Sequence, residues 1–170
     1  TPQGLNLVMN NKAFHNYNTS SIPISLNISN IQSMAVDWKG NYWLGSHIAG
    51  VNVVNFENGY KRCYMPDAGN PNAIGDASVI GLFEDSRHNM WVGSYLGYLQ
   101  RYDATSGRFI SYPFNESPNS NKRLRDVRNI TEDKQGNLWF ISHSFGMVKF
   151  NPASGQYQYF RHDSINTKHS

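Results

Sequence analysis

Short apolar runs, broken by Gly, Asn or Asp, recur along the chain with a fixed step. Trp43, Trp91 and Trp139 stand 48 residues apart both times. The same step links Asp37, Asp85 and Asp133, then Asn41, Asn89 and Asn137, then Ser46, Ser94 and Ser142. It also links Gly59, Gly107 and Gly155, and the aromatic series Tyr64, Tyr112 and Phe160. Within each unit the pattern predicts four strands. The first strands fall at 31–36, 79–84 and 127–132, the second at 42–46, 90–94 and 138–142. The third fall at 51–55, 98–102 and 147–150, the fourth at 60–64, 108–112 and 156–160. Between the first two strands lies Asp-x-x-Gly-Asn, with His88 in the Gly place of the middle unit. Asp opens such a turn by bonding the turn's own amides, and Gly takes the left-handed conformation without steric cost. His is among the better tolerated alternatives there. No stretch keeps a 3.6-residue apolar period, so essentially no helix is expected.

Four antiparallel strands with a period in the high forties predict an all-β fold, a β-propeller built of radial blades. Solenoids of that period are built from helix pairs, which the pattern excludes. The large faces of each sheet must be covered by the next. Gly45 and Gly93 fit that demand, because a sheet packed closely on another needs a small residue beside the indole. The blades are expected at about 28–66, 76–114 and 124–162, with a tail at 163–170. Residues 1–20 resemble the third and fourth strands of a further blade. That makes about three and a half blades, against at least about four in a closed ring. The expectation is a propeller fragment whose open faces meet further blades or a second copy of the chain.

Composition narrows the function classes. The 170 residues carry a net charge of +3, with 16% charged and 14% aromatic residues. So weak a positive balance makes no case for nucleic acid or an anionic membrane, and disorder calls for the reverse composition. Cys63 is alone, so an intrachain disulfide is impossible. No apolar run approaches the length a membrane span needs, so no direct membrane insertion is expected.

Trp43, Trp91 and Trp139 could be sugar-stacking platforms, but their recurrence assigns them to the core between blades. Asp37, Asp85 and Asp133 are assigned to turn chemistry for the same reason. Trp38 does not recur, since Ser86 and Lys134 hold its place, and an unrepeated turn Trp suggests a contact surface. His47, Tyr95 and His143 hold equivalent places in the loop between the second and third strands. In a propeller that loop shares a face with the connections between blades, and one of these carries Lys122, Arg123 and Arg125. His47, Tyr95, His143, Arg123 and Arg125 are therefore the candidate ligand contacts. They suit a hydroxyl-rich or acidic ligand. Two His on different blades make a poor metal site. No paired carboxylates at one mouth, and no nucleophile beside a base, point to catalysis. No cofactor is expected.

The runs Val79-Ile80-Gly81-Leu82-Phe83-Glu84-Asp85 and Asn89-Met90-Trp91-Val92-Gly93-Ser94 resemble the regulator-propeller repeat, as does Ile130 to Phe140. The shared motif, apolar-x-x-Asp-x-x-Gly-Asn-x-Trp-x-Gly-Ser, departs at His88 and at Ile141. Such repeats form the periplasmic sensor half of hybrid two-component systems, best known from gut Bacteroides. The resemblance implies a non-enzymatic sensor that binds oligosaccharide breakdown products and signals to a transmembrane histidine kinase. Two alternatives stand beside it. One is a streptogramin-lyase-like propeller enzyme that uses a divalent cation, and the other a protein-interaction scaffold.

Overall fold

Every predicted turn forms, and its aspartate does more than close it. Asp37 Oδ1 accepts the backbone N–H of Lys39 at 3.0 Å and of Asn41 at 2.9 Å. Its Oδ2 accepts from Asn41 Nδ2 at 2.9 Å and from the Trp43 indole at 3.0 Å. The indole bond repeats as Trp91 to Asp85 at 2.7 Å and Trp139 to Asp133 at 2.8 Å. One carboxylate thus fixes both the turn and the rotamer of the core tryptophan six residues on. Position four of the turn is left-handed in each unit, at φ 77° for Gly40, 64° for His88 and 79° for Gly136.

The structure, a computed structural model, describes residues 5–8, 14–17, 26, 30–114, 125–143 and 145–161. A short ladder pairs β1 (Leu5–Val8) with β2 (Phe14–Tyr17). Three four-stranded antiparallel sheets follow, each a meander. The first holds β3 (Ile31–Val36), β4 (Tyr42–Ser46), β5 (Val51–Val54) and β6 (Lys61–Tyr64). The second holds β7 (Val79–Glu84), β8 (Met90–Ser94), β9 (Leu99–Asp103) and β10 (Arg108–Tyr112). The third holds β11 (Arg128–Glu132), β12 (Leu138–Ser142), β13 (Gly146–Phe150) and β14 (Tyr157–Phe160). No helix occurs among the described residues. The inner strands β3, β7 and β11 pack in succession, as radial blades require. Each first strand carries a register shift near its start, at Ile31/Ser33, Val79/Gly81 and Arg128/Thr131. Such a bulge adds local twist.

Strand β11 starts one residue later than the pattern predicts. The Val127 N–H is taken by the Ser94 carbonyl of the second blade at 2.9 Å, so it joins the blades instead of the ladder.

The core lies between the sheets. Trp43 packs with Val79, Leu82, Met90 and Val92 of the second blade. Trp91 packs with Val127, Leu138, Phe140 and Phe150 of the third. Trp43 is 3% and Trp91 0% exposed. Trp139 departs from the expectation of an inter-blade core residue. It is half-buried, because no sheet among the described residues covers its face. Its ring stacks instead on Phe160, with centroids 5.3 Å apart, under Lys149 Nζ at 5.3 Å.

The indole N–H of Trp139 holds the Asp133 carboxyl well below the usual carboxylate range, with help from the Asn137 side chain and turn amides. A carboxylate lowered in the folded state contributes stability above its unfolded pKa, and that contribution is lost as pH falls through the folded value. A carbon-detected NMR titration should find Asp133 titrating at lower pH than an ordinary carboxylate. Trp139→Phe should move it upward; an unchanged midpoint would assign the effect to the Asn137 side chain and the turn amides.

Polar ties cross each interface as well. Glu84, at the end of β7, accepts the Trp38 N–H at 3.0 Å, and Glu132, at the end of β11, accepts the Ser86 N–H at 2.7 Å. Tyr64 and Tyr102 meet across the first interface, hydroxyl to hydroxyl at 2.7 Å.

Candidate functional site

In a meander the β4–β5 loop and the connections between blades must emerge at one end of the sheets, and the Asp-led turns at the other. At the loop end, the Gly50 N–H bonds the Ala77 carbonyl at 2.8 Å and the Tyr95 N–H bonds the Ser78 carbonyl at 2.9 Å. This end holds the side chains that the sequence singled out. His47 Nδ1 lies 3.0 Å from Ser78 Oγ, and its ring stands edge-on to Tyr95, centroids 6.3 Å apart. Tyr95 is half-exposed. His143 and Arg125 are exposed, and the Arg125 carbonyl accepts the Ser142 hydroxyl at 2.6 Å. Arg123 lies outside the described residues. The structure therefore brings His47 and Tyr95 together, while His143 joins them only through a neighbour.

That neighbour is a residue that sequence reasoning missed. Asp126 Oδ1 accepts the His143 N–H at 2.6 Å, Oδ2 accepts from Arg128 Nε at 3.1 Å, and its own N–H bonds the Tyr95 carbonyl at 3.0 Å. Asp76 acts likewise: it accepts the Ser78 N–H at 3.0 Å and the Leu96 N–H at 2.9 Å. Two carboxylates therefore stand at this face, each with its own donors and with no contact between them. Both are buried and held by structural donors, which commits them to shaping loops instead of moving protons. They escaped notice because 76 and 126 are 50 apart, off the 48-residue register; the signal was an Asp three residues ahead of β7 and two ahead of β11. Among the described residues no group of three His, Cys, Asp or Glu could hold a metal ion.

Two clefts open at the opposite end. A cleft of about 390 Å³ opens between the first and second blades, lined by Trp38, Lys39, Asn58, Tyr60, His88 and Tyr102, with Asn41, Asn55 and Trp43 also in its wall. The matching cleft between the second and third blades is about 200 Å³ and is lined by Arg87, Arg101, Glu132 and Pro152. At the lip of the larger one the Trp38 and His88 rings meet, centroids 5.3 Å apart and tilted by 38°. Trp38 is 62% exposed. Lys39 Nζ sits 5.2 Å from the Trp38 ring, and His88 Nδ1 lies 3.2 Å from Glu84 Oε1. Deep in the wall, burial pushes the Tyr64 phenol pKa up, so it stays protonated.

The Asp85-to-Trp91 bond and the strands on either side of it lie inside a stretch that matches a family model. The family model described as the two-component regulator propeller matches residues 73–96. Residues 73–96 are similar to a two-component regulator propeller repeat. The repeat runs from the connection into the second blade through β7, the turn and β8, and His88 lies inside it.

Solved structures share the fold of all three blades. The extracellular domain of BT4673, named as a hybrid two component system of B. thetaiotaomicron, is similar at TM-score 0.74 and 18% identity, over 98% of this chain and 21% of that one. That of BT3049, another such system of B. thetaiotaomicron, is similar at TM-score 0.62 and 20% identity, over 93% of this chain and 27% of that one. A catalytically inactive virginiamycin B lyase of Staphylococcus aureus, solved with quinupristin, is similar at TM-score 0.65 and 14% identity, over 96% of this chain and 50% of that one. The chain spans about a fifth to a half of the length of these structures. No curated protein matches its sequence.

Proposed function

We propose that this chain is part of the extracytoplasmic, periplasmic sensor propeller of a hybrid two-component system. In this reading it binds an oligosaccharide released from polysaccharide, catalyses nothing, and passes the bound state through a neighbouring domain to a transmembrane kinase. The observation that carries the reading is the regulator-propeller repeat at 73–96. The likeness of the blades to extracellular domains of two such systems supports it. The surface offers suitable groups at both ends: His47, Tyr95, His143 and Arg125 on the loop face, and the aromatic, amide-walled cleft on the turn face.

Isothermal calorimetry with a panel of neutral and acidic oligosaccharides, followed by product analysis, tests it. The expected result is a dissociation constant on the order of micromolar, equivalent to about 8 kcal/mol, with every sugar recovered intact. Cation-dependent cleavage of a substrate would overturn the reading in favour of a lyase. Failure of every sugar to bind would overturn it in favour of a scaffold.

A further inference from the structure

The repeat predicts a background against which departures stand out. Trp38 occupies a place held by Ser86 and Lys134 in the other blades. His88 occupies a place held by Gly40 and Gly136, and it does so at φ 64°, where a side chain strains the backbone. These two departures lie on turns of different blades, yet their rings touch across the first interface. Neither is needed to join the blades there, because the second interface does so with Ser86 and Gly136. The cleft at this pair is also the larger of the two.

We propose that this turn-face cleft is a binding site for an acidic sugar, about a disaccharide in size, with Trp38 as the stacking platform and Lys39 as the partner of its carboxylate. The proposal rests on the sensor reading and gives it a place and a ligand class.

The size fits, since 390 Å³ lies near the lower end of the roughly 300–1,000 Å³ usual for small-ligand pockets. An exposed indole offers an apolar face to the C–H side of a sugar ring. Asn41 and Asn55 in the wall are spent on Asp37, on each other and on the turn amides, which leaves Asn58 as the amide that can meet a hydroxyl. Asn58 spends its Oδ1 on the Tyr60 N–H at 2.9 Å and keeps its amide hydrogens to donate. His88 spends Nδ1 on Glu84 and keeps Nε2.

The charge follows from what each nearby ion already does. Both Asp37 oxygens accept from the turn and from Trp43. Glu84 accepts from the Trp38 N–H and faces His88. Lys39 has no carboxylate at ion-pair distance among the described residues. The spare charge at the lip is therefore positive, and it disfavours a cationic ligand over the ring.

Calorimetry on the chain with digalacturonate and with its neutral counterpart, galactobiose, tests the proposal. Digalacturonate should bind more tightly. Trp38→Ala should weaken it by about tenfold or more, while Trp38→Phe should stay within about threefold because a ring face remains. Lys39→Gln should weaken digalacturonate by about tenfold and leave galactobiose nearly unchanged. Melting temperatures of all three variants, close to the parent's, establish that a loss is not unfolding. Full binding by Trp38→Ala would overturn the proposal, as would equal affinity for the two sugars. Loss in Tyr95→Ala with retention in Trp38→Ala would move the site to the loop face, overturning the proposal while leaving the sensor reading intact. Absence of binding by every sugar in the wider panel would end both.

Discussion

Replacing Trp91 by alanine is expected to cost about 3–5 kcal/mol of folding stability. The ring is 0% exposed and fills the space between the second and third sheets. It lies 5.3 Å from the Tyr112 ring and 6.1 Å from that of Phe150, centroid to centroid. Truncation removes that contact and leaves a cavity that two rigid sheets can only partly close. It also removes the indole donor 2.7 Å from Asp85 Oδ2, in a site where an under-satisfied carboxylate is costly. Urea unfolding of the variant measures the loss. A value below about 1 kcal/mol would mean that the ring is not wedged between blades. Trp139→Ala provides an internal scale: its indole is half-buried and should cost clearly less.

Gly93→Val is expected to be the second severe change, at about 1–3 kcal/mol or more. A Cβ at Gly93 would collide with the Val127 carbonyl oxygen of the third blade and come within 2.8 Å of Val127 Cγ1. The backbone oxygen belongs to the residue that leads into β11 and whose N–H is bonded to the Ser94 carbonyl, so relief requires the two blades to separate. Gly45 stands in the same relation to Val79, whose carbonyl oxygen would lie 2.8 Å from its added Cβ. Ile141 holds the equivalent place in the third blade and is 50% exposed, with no sheet among the described residues against it. Ile141→Val should therefore change stability by no more than about 0.5 kcal/mol. Comparable losses at 93 and 141 would show that the glycine is kept for some reason other than the approach of the next blade.

The likeness of a side chain's role to its place in the repeat explains how much was legible beforehand. Strands, turns and the radial stacking were readable because each rests on local chemistry written three times over. Asp37, Asp85 and Asp133 were readable as turn residues, yet their grip on the indoles was not. That bond depends on a rotamer six residues away, which spacing suggests but does not establish. Asp76 and Asp126 were missed because their spacing slips by two residues within connections of different length. The candidate contacts on the loop face were identified by equivalence alone. Equivalence put His47 beside Tyr95 but could not say that His143 would be bound to Asp126 by its backbone.

The sequence by itself determined the four-strand unit, its turns and the need for each sheet to be covered, because these follow from alternation, Asp and Gly chemistry and the exposure of large apolar faces. Only the tertiary structure decided which unrepeated residues meet. Trp38 and His88 are 50 positions apart and on separate turns, and nothing in either neighbourhood announces the other. The angle between neighbouring blades brings their rings together and leaves the wider cleft at the turn end. That angle is set by how the facing side chains and the close glycine contacts pack, a property of two sheets at once that no single stretch of sequence holds.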